Sequence, residues 1–495
     1  LTWTSSRVNI GLTSNCFTID YTKGNDIANA SIKALNESDL ISNNKFTIKE
    51  GIALTYANIG IKSTCTIEGY GSLYLNVTTL SSAFSTGNSK GALKYAVLDN
   101  TSTTSTVTVA SLLNQQFNIV STGSITSTGK ITLLTKQLSN TKLNKYLIVI
   151  YADVSKIAND AMDASFNGTV SADANQGKAP YEGLAKLIAN DTFKSTESVT
   201  NNSITYQYDT THNLMKDTAG NIRYYGASPN NYIYFNCSDY SNQSSSTCET
   251  WRIIGVFDGK VKLIRGSQIG TYAWDNKDGA ETAYGKNDWT DARLMKLLNP
   301  GYESETTGGS LYYNAKSGNC YSGQNNATKT CDFTSAGIKN NITRNLISDT
   351  TYYLGGHNSS SVYPNEIYEK ERGTAVYSGR PTTWQGKIAL PYPSDYGYAA
   401  DLGKCLNKQL GSYNDTTCTS NNWMKTIIAP NNGWLLTPVS GYAYGAWFVY
   451  SSGDVNHGYY RAFDAIGVAP VLYLGSELSV KAGTGSSLEP YQLTV

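Results

Sequence analysis

Apolar and polar residues alternate with a period of two through the first part of the chain. Val8, Ile10 and Leu12 alternate with polar neighbours, as do Phe17, Ile19 and Tyr21, and Leu73, Leu75 and Val77 repeat the pattern. This is the period of strands that lay one face on a core. The run Tyr146-Leu147-Ile148-Val149-Ile150-Tyr151 is apolar on both faces and predicts a central strand. Ser121-Thr122-Gly123-Ser124 and Ser127-Thr128-Gly129 supply turns between strands. A jelly-roll-like β-sandwich over residues 1–176 is the economical packing for such a pattern.

The pattern changes at Asp173-Ala174-Asn175-Gln176-Gly177-Lys178, which predicts a boundary. A linker over residues 177–200 follows, with a short helix carrying Leu184, Leu187 and Ile188 on one face. Residues 201–495 read as a mixed α+β domain. Trp251 to Phe257, then Asp258-Gly259, then Val261 to Ile264 is a hairpin signature, because an Asp-Gly pair suits the tight turn between two β-rich runs. Asp291 to Leu298 predicts a helix capped by Thr290. A second helix is expected near Ile338 to Ile347, with strands around Trp447 to Tyr450 and Val471 to Leu474. The expected class is therefore mainly β with some α.

At 495 residues the chain is too long for one ordinary core, and its 40% hydrophobic content is enough to fill two. The net charge is +1, from 39 basic and 38 acidic residues, which gives no electrostatic basis for binding nucleic acid. Only 16% of residues are charged, and Asn, Ser, Thr, Gly and Tyr take their place, as in many extracellular β proteins. No apolar run reaches bilayer length, so no membrane span is expected. The expectation is a secreted, cell-surface protein, and since the chain begins at Leu1 without a basic and apolar leader, secretion implies that its signal peptide has been removed. Glu489 to Val495 carries neither a sortase-type motif nor an apolar anchor, so any attachment is expected to be non-covalent.

The eight cysteines fall into short-range pairs. Cys237 with Cys248, Cys320 with Cys331 and Cys405 with Cys418 each bracket a local loop, which leaves Cys16 with Cys65 in the first domain. An even count in polar, loop-like surroundings predicts these four disulfides. No closely spaced cysteine pair exists, and His212, His357 and His457 are the only histidines, so no metal and no cofactor is expected.

Catalytic motifs fail on context. Gly87-Asn88-Ser89-Lys90-Gly91 matches a nucleophile elbow in letters, but the polar stretch Ser81 to Thr86 precedes it where a buried strand is required. Asp275-Asn276-Lys277-Asp278-Gly279 resembles a calcium loop, but a lysine stands where an oxygen ligand is needed, so it reads as a turn. Asp395, among the aromatics of Pro393 to Tyr398, reads as a turn residue that bonds its own backbone. Asn-x-Ser/Thr triplets such as Asn100-Thr101-Ser102 are expected by chance in so Asn- and Thr-rich a chain. No enzyme is expected.

The 37 tyrosines are more informative. Tyrosine is rigid and amphipathic, and it gives large contact area at small entropic cost. Between Ser440 and Asp464, glycines interleave a run of aromatic and charged residues. Tyr442, Tyr444, His457, Tyr459, Tyr460, Arg461, Phe463 and Asp464 are the candidate ligand-binding residues. Trp447 and Tyr450, on an expected strand, read as core. For Tyr459 and Tyr460 both a core and an exposed placement stand open.

Two resemblances add to this reading. Thr13 to Tyr21, Tyr146 to Tyr151 and Asn159 to Val170 resemble secreted Firmicutes proteins of the TasA/camelysin type. That resemblance implies a jelly roll and biofilm-fibre assembly, while no zinc motif carries over camelysin's protease activity. Tyr225 to Tyr232, Trp251 to Phe257, Gly433 to Pro438 and Gly467 to Leu472 resemble a Firmicutes surface module. It is similar to the C-type-lectin-like fold of formylglycine-generating enzymes and of retroelement-diversified proteins. Ala469 stands where that family usually has Arg, and the enzymes' catalytic role does not carry over, because the cysteines nearest to their reactive pair read here as disulfides. The second resemblance implies ligand contacts just before the final strand.

Together these readings predict a structural subunit of an extracellular filament, a homopolymer assembled non-covalently. Val8, Ile10 and Leu12 are the candidate assembly residues, donated as a strand to a neighbouring copy or kept in their own domain. The lectin-like domain would be displayed to a glycan or protein ligand. The alternative is a monomeric secreted adhesin or carbohydrate-binding protein.

Overall fold

The computed structural model describes residues 16–20, 31–42, 45–100, 107–177, 183–278, 283–475 and 478–495. It is mainly β with some α, and it divides into two compact units, Leu1–Pro180 and Tyr181–Val495. Val8, Ile10, Leu12 and Tyr21 lie outside the described residues.

In the first unit the larger sheet runs in the order Phe17–Asp20, Ala53–Ile61, Asn144–Asp153, Leu93–Asp99, Gln116–Ser124, Lys45–Thr47, Ile41–Ser42. A smaller sheet has the order Phe166–Gln176, Gly69–Leu80, Gly129–Leu138. The strand Asn144–Asp153 is central and pairs antiparallel on both sides. Its two apolar faces have separate destinations. Tyr146, Ile148 and Ile150 enter a core with Leu73, Leu75, Val77 and Val170 of the smaller sheet. Leu147, Val149 and Tyr151 enter a second core with Leu40, Phe46, Ile48 and Phe117. A strand covered on both faces needs an unbroken apolar run, and this one has it.

In the second unit a nine-stranded sheet includes, in neighbouring positions, Ile222–Tyr224, Glu249–Phe257, Lys260–Arg265, Val471–Tyr473 and Ile388–Ala389. The Asp-Gly hairpin forms as expected between Glu249–Phe257 and Lys260–Arg265. Asp258 and Gly259 both take positive φ, 48° and 77°, as the tight turn requires. A five-stranded sheet has the order Thr271–Tyr272, Ile466–Gly467, Gly433–Pro438, Ala446–Val449, Val455–Asn456. The short helix Gly183–Lys186 continues as a π-helical turn over Leu187–Thr192, and it buries Leu184 and Ile188 in this unit's core.

The helix expected from Asp291 begins later, at Arg293, and Thr290 does not cap it. Trp289–Asp291 forms its own 3-10 turn, where the Asp288 side chain accepts the Thr290 amide. The Arg293 amide instead donates to Asp275 Oδ1 at 3.1 Å, a partner that local sequence does not reveal. The second expected helix spans Asn341–Leu346, and the Asn340 side chain caps it on Thr343.

All four expected disulfides are present: Cys16–Cys65, Cys237–Cys248, Cys320–Cys331 and Cys405–Cys418. Each stays inside one unit and limits the freedom of the unfolded chain around it. Among the described residues no helix is long and apolar enough to cross a membrane. Both features are compatible with a secreted protein.

Candidate functional site

The segment Ser440–Asp464 rests on the antiparallel pair Gly433–Pro438 and Ala446–Val449, in which every residue is buried. Tyr450 leaves this pair, and a turn closed by Gly453, at φ 104°, returns the chain to Val455–Asn456. The aromatic rings beyond it form a ladder from core to solvent. Phe448 is buried, and its ring centroid is 4.9 Å from those of both Tyr450 and Tyr460. Tyr450 and Tyr460 are half-buried. Tyr459 meets Tyr460 edge-on and is 69% exposed. Asn432 braces the ladder: its amide donates to the Tyr460 hydroxyl at 2.7 Å, and its carbonyl accepts the Ser451 amide at 2.9 Å. Burial raises the Tyr450 and Tyr460 phenols above their ordinary range, so both stay neutral.

Tyr442, Tyr444, Arg461 and Phe463 gather in a separate cluster. The Tyr442 and Tyr444 rings lie 4.9 Å apart, and Tyr444 meets Tyr284 at 5.1 Å. The Arg461 guanidinium sits 4.0 Å above the Tyr284 ring, a cation–π contact. Phe463 is buried against the same ring, so it supports this surface from below. Asp464 accepts the Arg461 amide at 2.7 Å and fixes the turn. Tyr284 comes from a distant polar loop without periodic pattern, and nothing in the sequence singles it out.

His457 lies between the two clusters. Its carbonyl accepts the Tyr442 hydroxyl, and its ring faces Trp447 at 5.3 Å. His357 stacks on the same Trp447 at 6.3 Å, and its carbonyl accepts the indole N–H. His457 Nδ1 is buried without a hydrogen-bond partner. Burial depresses both imidazoles, assisted by Lys370 at His357 and by His357 at His457. Both rings are therefore neutral at physiological pH.

Asp395 is not a surface turn residue. Its Oδ2 does accept its own helix's Tyr392 amide at 2.9 Å, but the side chain is fully buried in a charge network. Lys262 Nζ donates to Oδ2 at 2.5 Å, and Arg223 Nη1 donates to Oδ1 at 3.1 Å. Arg223 Nε also donates to Asp217 Oδ2 at 2.6 Å. Burial pushes the Asp395 carboxyl up, but the Lys262 and Arg223 charges outweigh it and hold the group below its ordinary range. Glu371, equally buried, accepts Ser394 N and Oγ at 2.9 and 2.6 Å, and burial pushes it up to about 7.

The rejected motifs have structural uses. Ser89 donates to Asp160 at 2.6 Å and accepts the Ala158 amide, which ties two loops together. Asp275 is buried and accepts the Lys286 and Arg293 amides. Among the described residues no group of three or more His, Cys, Asp or Glu converges to hold a metal ion. Comparison with protein-family models and with curated protein sequences gives no match to this chain.

Proposed function

We propose that this chain is a non-enzymatic extracellular subunit that joins copies of itself by strand addition and presents a ligand-recognition surface on its second unit. The observation that carries the assembly is the smaller sheet of the first unit. Among the described residues its outer strands, Phe166–Gln176 and Gly129–Leu138, each pair on one side only, with Gly69–Leu80. A strand at the edge of a sheet is a template for a further strand. Leu1 to Leu12, with Val8, Ile10 and Leu12 on one face, is a donor of suitable alternation. Size-exclusion chromatography and negative-stain images of the full chain, with and without Leu1 to Leu12, test this. Fibres that disappear on deletion support strand donation, and fibres that persist unchanged defeat it.

A second reading, a monomeric adhesin or carbohydrate-binding protein, is favoured by the Tyr459 ladder, which needs no polymer to work. An exposed phenol ring on a braced scaffold suits stacking against a sugar face or a protein surface. A monodisperse monomer that still binds a glycan array, and loses binding as Tyr459→Ala, selects this reading.

A further inference from the structure

We propose that Lys262 and Asp395 condense into an intramolecular isopeptide bond that ties the strand Lys260–Arg265 to the helix Pro393–Tyr398. The two residues are 133 positions apart, meet at 2.5 Å, and have side chains only 1% exposed. Water is excluded by aromatic rings: Lys262 Nζ lies 4.4 Å from the Tyr392 ring centroid, 5.4 Å from Tyr473 and 5.6 Å from Phe257.

The reaction needs no oxidant and no cofactor. A proton passes from the Lys262 ammonium to Asp395 Oδ2 along the existing contact. The freed Nζ lone pair attacks Cγ. The N–C bond forms as the C–Oδ2 bond breaks, a second proton leaves Nζ, and Oδ2 departs as water. One cation and one anion disappear together, while Arg223 keeps its partner Asp217. Buried ions are costly to desolvate, so the dry site raises the ionic pair relative to the neutral amide. Burial also lowers the Lys262 pKa, which favours the amine that must attack, whereas the Lys262 and Arg223 charges hold the Asp395 carboxyl low, so proton transfer to Oδ2 is the demanding step. Arg223 Nη1, on Oδ1, stands where negative charge develops during attack. Glu371 is a positioning residue, because it holds Ser394, the neighbour of Asp395, by its amide and hydroxyl.

The intact mass of the full-length folded protein tests the bond directly. After reduction of the disulfides, the chain should remain one water lighter than its sequence. A proteolytic digest should then yield a branched peptide joining Lys262 to Asp395. A reduced chain of full mass, or a water deficit that maps elsewhere, overturns the proposal. The wild type alone decides this, whatever the variants do. Lys262→Arg, which keeps a cation beside Asp395 but cannot form the bond, should regain the missing water. Glu371→Gln should lower the cross-linked fraction at an unchanged circular dichroism spectrum, and an unchanged fraction removes Glu371 from the mechanism.

Discussion

Tyr459 and Tyr460 are chain neighbours whose rings meet edge-on at 5.0 Å, yet one faces solvent and the other leans on the core. Tyr460 packs on Phe448 and accepts the Asn432 amide, whereas Tyr459 is 69% exposed. Their substitutions should therefore separate. Tyr459→Ala is expected to change stability by less than about 0.5 kcal/mol, the range of ordinary surface changes. Tyr460→Phe should cost about 0.5–1.5 kcal/mol through the lost hydrogen bond. Urea denaturation of both variants checks this, and equal losses would place Tyr459 in the core.

Trp447 should behave differently from every tyrosine in the segment. It is fully buried, and its indole N–H donates to the His357 carbonyl at 3.0 Å. Trp447→Ala is expected to cost ~3–5 kcal/mol, since it opens a large cavity and leaves that carbonyl unpaired. A melting temperature close to wild type would show that the segment does not depend on this ring.

Much of this architecture was legible because its causes are local. Within the strand Asn144–Asp153 the run Tyr146 to Ala152 is apolar and buried throughout, and the Asp258-Gly259 turn needs only its two residues. What escaped the sequence has distant causes. The start of the helix Arg293–Leu298 is set by Asp275, 18 positions earlier. Asp395 was readable as far as its bond to Tyr392, but Arg223 lies 172 positions away. At the aromatic surface the candidate residues were visible as types. Their division into a Tyr459 ladder and a Tyr284–Arg461 cluster depends on two residues, Tyr284 and Asn432, that no periodicity marks.

The His357–Trp447–His457 stack makes stability fall with acid. Both imidazoles have folded pKa values below the ordinary 6.5, so the unfolded chain binds protons first as pH drops. Stability from these groups is present above about pH 6.5 and is lost as pH falls toward their folded values. The groups facing them are Lys370 and Glu366 at His357, and His357 itself at His457. His457→Phe should flatten the loss between pH 7 and pH 5 relative to wild type, measured by denaturant midpoints. An unchanged slope would assign the acid sensitivity to other groups.

Glu371 should act in the opposite sense. Its folded pKa is raised from 4.5 to about 7 by burial, which outweighs the nearby Arg372 charge. Between those values the folded state holds a proton that the unfolded state has released. Stability from this group is therefore greatest below about pH 4.5, and it declines as pH rises through 7. A shift of this size corresponds to a decline on the order of 3–4 kcal/mol, given about 1.4 kcal/mol per pH unit. Glu371→Gln keeps an acceptor for the Ser394 amide but does not titrate. Any loss of cross-linking in that variant adds an offset that does not vary with pH. The stability of Glu371→Gln relative to wild type should thus rise from pH 4.5 and level off above about pH 7. Denaturation at four or five pH values gives this difference, and a flat difference would mean that Glu371 is already ionised in the folded protein at low pH.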